Sequence, residues 1–493
     1  MTRVTTGQLS LRRNLLNIYF NDLSLDKLNV QGESMGSTTD HHTPSHTLLW
    51  LRHDLRIQDN PALVAAARHA RRHQGSLLIV WFFESRWVES DSFGTARMGK
   101  RRARFLLESV MDVADELKAL GHRLLVLRGD PTEVIPQLAS DYELKAVFAS
   151  RHVAHEETEQ EQRLARRLST DQVTLNITWT HTLFRQSQLP FSLSDLPDVF
   201  THFRKRIERS SVISDPLPAP TQLPPCLLDM SSDHAESSSA QSSVDQLDDL
   251  RSIWMTDIED DDRSAFTGKG GAKAATERLS YYLWESRHVE RYKETRNGLV
   301  GADYSTKLSP WLATGSISPK VIWAEVLRYE QERTSNQSTY WVRFELLWRE
   351  YFQWVAALYG PHLFRRAGLS VPLSRQVNLK GQVNQRRFQR WCQGATGDPF
   401  VDANMRELEA TGWMSNRGRQ NVASYLIHDL GVDWRMGAGY FERELLDYDP
   451  ASNWGNWAYI AGVGNDPRPQ RKFNTAKQAE RYDQDRSFQM LWS

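Results

Sequence analysis

Residues 411–457 hold the side chains of this sequence that are best suited to chemistry. They interleave indole rings with polar groups: Trp413, Trp434, Trp454 and Trp457 among Asn416, Arg417, Arg419, Gln420, Asp447, Asp449 and Asn453. Such a mixture suits a pocket for a flat, hydrogen-bonding, redox-active ring, to which neighbouring aromatic side chains can also donate electrons. On composition alone, a tryptophan-rich helical core is an equal alternative.

A cluster of hydroxyl side chains precedes Pro310. Ser305, Thr306 and Ser309 follow a turn and open a predicted helix just before that proline. Hydroxyl groups and free backbone N–H groups at a helix N-terminus can bind a phosphate. A plain helix cap is the simpler alternative, and for these residues taken alone it is the better interpretation.

Other side chains could act in the same kind of pocket. Arg419 and Asp447, if buried, need each other because an unpaired buried charge destabilises a fold strongly. Glu345 and Trp348 lie three residues apart, and therefore on one face of a helix. Asn453 follows Asp449–Pro450, where its residue type alone favours a cap or a turn.

The elements that must position these residues begin with short apolar segments that alternate with amphipathic ones. Residues 48–51, 77–83, 124–127, 146–149 and 173–177 have the continuous apolar character of buried parallel strands. Helices are predicted after Asn60 and after Asp130, which both precede a proline, and over residues 103–120 and 156–168. This alternation predicts a doubly wound, Rossmann-like α/β domain with a parallel sheet.

A segment rich in Pro and Ser, with an acidic run at 259–262, occupies residues 216–266. Beyond it, apolar residues recur with a helical period nearly to the end, for example over residues 341–358. We therefore predict a disordered extension over residues 1–45, an α/β domain over 46–180, an interdomain linker over 181–270 and an all-α domain over 271–493.

Composition narrows the classes of function. The 493 residues carry 61 basic and 61 acidic side chains, so contact with nucleic acid requires a local basic patch. Two distant cysteines, Cys226 and Cys392, fit a reducing compartment and offer neither a disulfide framework nor a metal site. No apolar run approaches the roughly 20 residues of a membrane span.

We expect the protein to be cytoplasmic, associated with the nucleoid in a prokaryote, and monomeric. The apolar patch near the N-terminus is too short for a secretory signal, and Asp22 and Asp26 count against a transit peptide. Organelle targeting by residues 1–45 stays open as an alternative.

Five motifs resemble the photolyase/cryptochrome flavoproteins and, among them, the cryptochrome DASH subgroup. They are LLWLRHDLRIQDNPAL (48–63), YKETRNGLVGADYSTKLSPWLATGSISP (292–319), STYWVRFELLWREYF (338–352), TGDPFVDANMRELEATGWMSNRGRQ (396–420) and LLDYDPASNWGNWAYIAGVGNDPR (445–468). The match runs from about residue 47 to the C-terminus. It implies an antenna-binding α/β domain followed by a helical domain that binds FAD.

The resemblance implies where FAD binds. The diphosphate falls on the hydroxyl cluster, the Arg419–Asp447 pair falls at the edge of the flavin ring, and Asn453 faces the ring nitrogen that gains or loses a proton. The cofactor-binding residues implied are Tyr292, Ser305, Thr306, Lys307, Leu308, Ser309, Arg349, Asn416, Arg419, Asp447, Asp449 and Asn453.

It also implies a site for a damaged, flipped pyrimidine pair. Trp348 offers a stacking surface and Glu345 a hydrogen bond to the carbonyl edge. Gln420 and Tyr459 stand where duplex-repairing relatives usually carry Met and Trp, which favours single-stranded DNA as substrate. The implied catalytic residues are Glu345, Trp348 and Asn453, and basic contacts to DNA are expected from Arg343, Arg349, Arg386, Arg387, Arg390 and Arg417.

Trp457 and Trp434 match the first two members of the electron-transfer chain through which the family photoreduces its flavin. The third member should fall ten residues before Trp391, where this sequence has Gly381. Without the resemblance, core packing is the simpler interpretation of both indoles.

The family antenna is methenyltetrahydrofolate. Glu156 and Glu157 align near the carboxylate with which relatives hold it, at the cleft beside the strand ends. Taken alone, two glutamates that start a helix more often complement the helix dipole.

Two functions share most of these features. One is a light-driven lyase that splits cyclobutane pyrimidine dimers, and the other is a photosensory or regulatory DNA-binding protein that uses the flavin as a redox switch. Glu345, Trp348 and Asn453 favour repair, and the missing ring at Gly381 weakens signalling by photoreduction. A third, structural interpretation treats the indoles as core alone and predicts no bound flavin.

Overall fold

The computed structural model describes residues 45–228, 245–369, 384–465 and 471–493. Its N-terminal domain is built on a five-stranded parallel sheet in the order β3-β2-β1-β4-β5. The strands are β1 (His46–Leu51), β2 (Leu77–Phe83), β3 (Leu124–Arg128), β4 (Leu144–Ser150) and β5 (Thr174–Thr178). The helices between them are α1 (Pro61–Arg72), α2 (Lys100–Ala119), α3 (Pro131–Asp141) and α4 (His155–Thr170). The predicted doubly wound α/β domain is confirmed.

Both faces of the sheet are buried, which explains why its strands are apolar throughout. Along β1, Leu49 and Leu51 belong to one apolar layer, whereas Leu48 and Trp50 belong to the other. The strand order reverses between β1 and β4, and such a reversal opens a cleft at the carboxyl ends of the strands.

Residues 181–270, the predicted linker, contribute to both cores. They contain two described helices, α5 (Phe200–Ser210) and α6 (Leu247–Trp254). Phe200 and Phe203 of α5 pack into the helical domain, whereas Leu250 of α6 packs against the sheet layer. The predicted disordered extension, residues 1–45, lies outside the described residues except for Ser45.

The C-terminal domain is helical, as predicted. Its helices are α7 (Ala272–Ser280), α8 (Tyr292–Thr295), α9 (Ser309–Thr314), α10 (Pro319–Glu332), α11 (Gln337–Tyr359), α12 (Gln385–Cys392), α13 (Pro399–Thr411), α14 (Asn416–His428), α15 (Trp434–Glu444), α16 (Pro450–Ile460), α17 (Thr475–Tyr482) and α18 (Ser487–Leu491). Within the described parts of the chain, no helix is both long enough and apolar enough to cross a membrane.

The two domains meet through close backbone contacts. Gly315, which ends α9, has a φ of +73°, and a Cβ placed on it would lie 1.9 Å from the carbonyl oxygen of His53. Arg56 fixes the same contact, because its guanidinium donates hydrogen bonds to the carbonyl oxygens of Gly315 (2.7 Å) and Thr180 (2.8 Å). The C-terminal end of α9 is thereby anchored on the α/β domain.

Candidate flavin and substrate site

A cavity of about 320 Å³ lies inside the helical domain. Its walls come from the loop before α9 and from α11, α14 and α16, so helices far apart in sequence form one pocket. A volume of this order is typical of a cofactor or small-ligand site. The lining residues that the sequence analysis selected are Tyr292, Ser305, Thr306, Lys307, Leu308, Ser309, Glu345, Arg349, Asn416, Arg419, Gln420, Asp447, Asp449, Asn453 and Trp457.

The hydroxyl cluster lies on the cavity wall, but it does not cap a helix. The N-cap of α9 is Leu308, and no side chain accepts a hydrogen bond from the helix there. The Ser309 hydroxyl instead donates to Asp447 Oδ2 at 2.7 Å. Arg278 shapes the preceding loop by donating to the carbonyl oxygens of Ser305 and Thr306. The capping interpretation is therefore wrong for this loop.

Lys307 is a buried cation in the same loop. It adopts a φ of +60°, and its Nζ has no hydrogen-bond partner. The ammonium lies 3.4 Å from the centroid of the Tyr304 ring and 4.8 Å from that of Trp413. Burial lowers the pKa of Lys307 well below its ordinary value. An anionic ligand in the cavity would supply the missing partner.

Arg419 and Asp447 form the expected ion pair. Arg419 Nη2 donates to Asp447 Oδ2 at 2.9 Å, and Arg419 Nε donates to the carbonyl oxygen of Met414. The other carboxylate oxygen, Asp447 Oδ1, is buried without a partner. An unpaired acceptor is costly inside a protein, so this oxygen marks a position for a ligand donor.

Asp449 is held firmly at the N-terminus of α16. Its carboxylate caps the helix by accepting from the Ser452 N–H and also accepts from the Gln353 amide at 3.0 Å. Although burial works in the opposite direction, the surrounding donors and the Arg349 guanidinium hold the pKa of Asp449 well below its usual range. Asp449 is thus a fixed negative charge in the cavity wall.

Asn453 lies within α16, one turn beyond the cap, and not in a turn. Its side-chain amide donates to the carbonyl oxygen of Ala438 at 3.0 Å. Because an amide NH₂ group has two hydrogens, one remains for a ligand in the cavity.

Glu345 lines the cavity from α11. Arg296 donates a hydrogen bond to its carboxylate. Burial raises the pKa of Glu345, whereas the neighbouring guanidinium of Arg296 opposes that rise. Glu345 is therefore held at the cavity wall as the partner of Arg296.

Trp348, Tyr459 and Arg417 are not among the residues that line the cavity. Trp348 stacks on Phe200 of α5, with ring centroids 3.7 Å apart and planes inclined by 14°. The Tyr459 ring meets Trp348 edge-on at 6.2 Å. Arg417 donates at 2.8 Å to Gln420, which does line the cavity.

Several expected basic contacts already have protein partners. Arg343 is paired with both carboxylate oxygens of Glu330, and Arg349 donates to the carbonyl oxygen of His181 at 2.7 Å. Arg386, Arg387 and Arg390 are exposed on α12.

The two indoles expected to carry electrons are buried near the cavity. Trp457 lines it, and Trp434 donates from Nε1 to the carbonyl oxygen of Arg366 at 3.1 Å. Both belong to the same apolar cluster and therefore also pack the core. Gly381 lies outside the described residues.

Glu156 and Glu157 border a second, smaller cleft between the domains. Both carboxylates are engaged there: Glu156 pairs with Arg97 at 2.7 Å and with Arg86 at 3.1 Å, and Glu157 pairs with Arg86 at 3.2 Å. A ligand that uses either carboxylate has to compete with these guanidinium groups.

Some positioning residues were missed by the sequence analysis. Arg278, Arg296 and Phe200 act across long sequence separations, which no local pattern reveals. Gln353 could have been found from the sequence. It follows Glu345 and Arg349 at intervals of four residues, so the three side chains share one face of α11.

The cavity fits a flavin dinucleotide chemically. An unpartnered lysine lies beside the hydroxyl loop, where a diphosphate would bind, and an unpartnered carboxylate oxygen lies beside Arg419, where ring N–H groups could donate. The aromatic and aliphatic walls suit the ring itself.

Comparison with known proteins identifies the same parts. Residues 47–222 match the family model of DNA photolyase, and residues 341–493 match that of the FAD binding domain of DNA photolyase. The chain is 45% identical to Cryptochrome DASH of Gloeobacter violaceus over 447 residues, 90% of this chain and 85% of that relative. It is 44% identical to Cryptochrome DASH of Synechocystis over 455 residues, 92% of this chain and 88% of that relative.

Solved structures agree. The fold superimposes on the crystal structure of the Synechocystis sp. PCC6803 cryptochrome with a TM-score of 0.83 at 43% identity, covering 92% of this chain and 89% of the other. For a bacterial class III photolyase from Agrobacterium tumefaciens the TM-score is 0.74 at 25% identity, covering 93% and 88%. The chain therefore belongs to the photolyase/cryptochrome family, as a flavoprotein of the cryptochrome DASH group with a C-terminal FAD-binding domain.

Proposed function

We propose that this flavoprotein uses blue or near-ultraviolet light to split cyclobutane pyrimidine dimers, preferentially in single-stranded DNA. One observation carries the proposal. Glu345, the residue implied to contact the lesion, lines the same cavity as Asn453 and the Arg419–Asp447 pair, which are implied to hold the flavin. Lesion and cofactor would then share a single pocket.

The residues that would hold FAD form two groups, one for the diphosphate and one for the flavin ring. The hydroxyl loop and Lys307 would bind the diphosphate, while Asp447 and Asn453 would bind the ring edge. A bound, fully reduced flavin would supply the light-driven, reversible one-electron chemistry that splits the dimer. Arg419 would hold the Asp447 carboxylate in its orientation.

The protein's own part in repair would be positioning. Glu345 would form a hydrogen bond to the carbonyl edge of the pyrimidine pair, and its neighbour Arg296 would hold the carboxyl group in place. Trp348, whose plane is fixed by stacking on Phe200, would pack against the lesion. Closing the pocket with a damaged base also excludes water from the reacting atoms.

The preference for single-stranded DNA would come from Gln420 and Tyr459, which we call the rim of the lesion site. Gln420 is tied to Arg417, and Tyr459 lies under the Arg471 guanidinium at 4.2 Å. A Gln and a Tyr at these positions offer less apolar surface than the Met and Trp of duplex-repairing relatives. Unstacking a lesion from a duplex requires more binding energy than taking it from a single strand.

An antenna, methenyltetrahydrofolate, would bind in the second cleft. Glu156 supports this because it combines a location at the carboxyl ends of the strands with a side chain that is 45% exposed. The ligand would displace part of the Arg86 and Arg97 pairing.

We propose cytoplasmic action for the described part of the chain. Relatives such as that of Arabidopsis thaliana, 41% identical, are named Cryptochrome DASH, chloroplastic/mitochondrial. An organelle-targeting signal in residues 1–45 is therefore the alternative. Expression of the full chain fused to a fluorescent protein would test it.

The decisive experiment measures light-dependent reversal of one dimer-containing oligonucleotide, single-stranded and then duplex, with the flavin chemically reduced. Reversal on the single strand alone is expected. Equal reversal on both would refute the rim argument. Absence of reversal on either, with reduced flavin verified spectrally, would refute the lyase and leave a photosensory or regulatory DNA-binding cryptochrome.

Replacing Trp348 by alanine provides an independent check of the lesion site. Loss of a base-stacking surface should weaken binding of the damaged single strand by about 1–3 kcal/mol. Trp284 packs against the Tyr329 ring and does not line the cavity, so W284A serves as the control. Unchanged lesion affinity in W348A would mean that the substrate binds elsewhere.

A further inference from the structure

Both tryptophans implied to carry electrons to the flavin are buried. Trp457 is 2% exposed and Trp434 is 3% exposed, so neither ring reaches solvent to be re-reduced. The sequence has Gly381 at the position where the family chain would continue, and glycine has no ring to oxidise. Photoreduction in this protein therefore requires another aromatic residue at the end of the route.

We propose that Trp454 is that terminal residue, so that electrons pass from Trp454 to Trp434 and then to Trp457. The Trp434 and Trp454 rings meet edge-on with centroids 5.7 Å apart. Trp454 is partly exposed and borders the cleft between the two domains. The proposal rests on the proposed binding of FAD in the central cavity, beside Trp457.

The inner step of the route has its own geometric support. Gly437 lies one turn after Trp434 on α15, and a Cβ placed on it would lie 2.2 Å from Cη2 of Trp457. The glycine thus allows the outer ring of Trp457 to pack directly against the helix turn that begins with Trp434. The route thus combines a ring contact between Trp454 and Trp434 with close packing of Trp457 against the turn of α15 that contains Gly437.

Trp454 also has a route for its proton. Its Nε1 donates to the Tyr448 hydroxyl at 3.3 Å, and that hydroxyl donates to Glu442 Oε2 at 2.9 Å. Once Trp454 has given up one electron, its N–H bond breaks, Tyr448 takes that proton, and the proton of Tyr448 moves to Glu442. A soluble thiol then returns one electron and one proton to Trp454, and Glu442 releases its proton to water.

Trp391 is the alternative electron donor to Trp457, since the centroids of the two rings lie 6.2 Å apart. It is fully buried at 0% exposure, and its Nε1 is committed to the carbonyl oxygen of Val422. Its further ring neighbours are Phe388, Tyr440 and Phe441, all buried. An oxidised Trp391 could therefore not pass its oxidation through these neighbours to a solvent-exposed ring.

The test compares W454F with W434F and W391F in the flavin-loaded protein. Flash excitation of oxidised protein should leave a long-lived deprotonated tryptophanyl radical in the wild type and in W391F. In W454F that radical should be lost, and the yield of photoreduction in continuous light with added thiol should fall to the level of W434F. In Y448F the radical should form but deprotonate more slowly.

The proposal is overturned if W454F photoreduces like the wild type, or if W391F loses the radical and W454F keeps it. Flavin content and thermal stability check that W454F is folded. If it is not, W454Y keeps a ring in place, and the signal should change from tryptophanyl to tyrosyl, whereas an unchanged tryptophanyl signal would exclude Trp454.

Dimer reversal with chemically reduced flavin separates this inference from the proposed function. Reversal should be the same in W454F and wild type, because no electron then has to enter through Trp454. Failure of reversal in both proteins, with the radical pattern as expected, would refute repair and leave the route standing.

Discussion

The Asp447 carboxylate accepts hydrogen bonds from two side chains and keeps one oxygen without a protein partner. Its Oδ2 accepts from Arg419 and Ser309, while its Oδ1 is buried and unpartnered. Asp447→Asn keeps the shape but replaces one acceptor oxygen by a donor and removes the charge opposite Arg419. Hydrogen bonds to charged groups contribute about 1.5–3 kcal/mol, so the Kd for FAD should rise roughly tenfold to a hundredfold. Titration of the apoprotein with FAD measures this change.

Asp429→Asn is the matched control for that titration. Asp429 pairs with Lys472 at 2.6 Å and does not line the cavity, so its loss should leave the Kd for FAD unchanged. An Asp447→Asn protein that binds FAD as tightly as the wild type would show that Oδ1 does not face the cofactor.

Helix α5 lies in the segment between the domains and supports the proposed lesion site. Phe200 stacks on Trp348 and fixes the plane of that indole. Phe200→Ala should weaken binding of dimer-containing single strands without changing the Kd for FAD. An aromatic pair contributes about 0.5–1.5 kcal/mol, which corresponds to a roughly twofold to tenfold rise in the Kd for DNA. Fluorescence anisotropy with a labelled oligonucleotide measures it.

Phe191→Ala separates positioning from general packing. The Phe191 ring packs edge-on against Phe203 at 6.0 Å, and no ring contact joins it to Trp348. Equal losses of DNA affinity in both variants would mean that the aromatic cluster matters only for stability.

Helix α11 is joined to the loop after β5 through a buried acid. Glu350 accepts hydrogen bonds from the backbone N–H groups of Leu183 and Phe184 and from Trp354 Nε1. Burial raises the pKa of Glu350 from 4.5 to about 7, although these donors oppose it. Between these pH values the folded state holds a proton that the unfolded state releases, so stability falls as pH rises, by up to about 3 kcal/mol.

Glu350→Gln should remove this part of the pH dependence. Between pH 5 and pH 8, the Tm of the variant should therefore rise relative to that of the wild type. Calorimetry at both pH values measures the difference, with Glu332→Gln at an exposed position as control. Parallel pH curves for wild type and E350Q would contradict the assignment of the pKa to this carboxyl.

Elements that are determined by neighbouring residues could be predicted from the sequence, whereas contacts between distant residues generally could not. The bounds of β2 follow from its continuous apolar run, and the start of α1 follows from Asn60, whose side chain accepts from the Leu63 N–H at 3.0 Å. The role of Phe200 could not be predicted, because it contacts Trp348 across 148 residues. The Arg419–Asp447 pair could be predicted, since two charges placed in an apolar core require each other.

A polar interface couples the two domains. Gly99 donates from its backbone to the carbonyl oxygen of Arg443 at 2.9 Å, and Arg97 pairs with Glu442 at 2.9 Å. Arg102 is the most central of these contacts. Its Nη1 donates to the carbonyl oxygen of Glu442 at 2.6 Å, and its guanidinium lies 4.4 Å from the centroid of the Tyr448 ring.

Arg102→Ala should uncouple the two domains. It leaves the buried Glu442 carbonyl oxygen without this donor, a loss of about 1–3 kcal/mol, and removes the cation over Tyr448. Because Arg102 bridges α2 and α15, the loss falls on the interface and not on either core, so calorimetry should show the wild-type transition broadening or splitting into two. Lys100→Ala, an exposed position on the same helix, should leave the thermogram unchanged. If R102A instead lowers a single transition that keeps its shape, the domains are coupled mainly by the apolar and backbone contacts around Gly315.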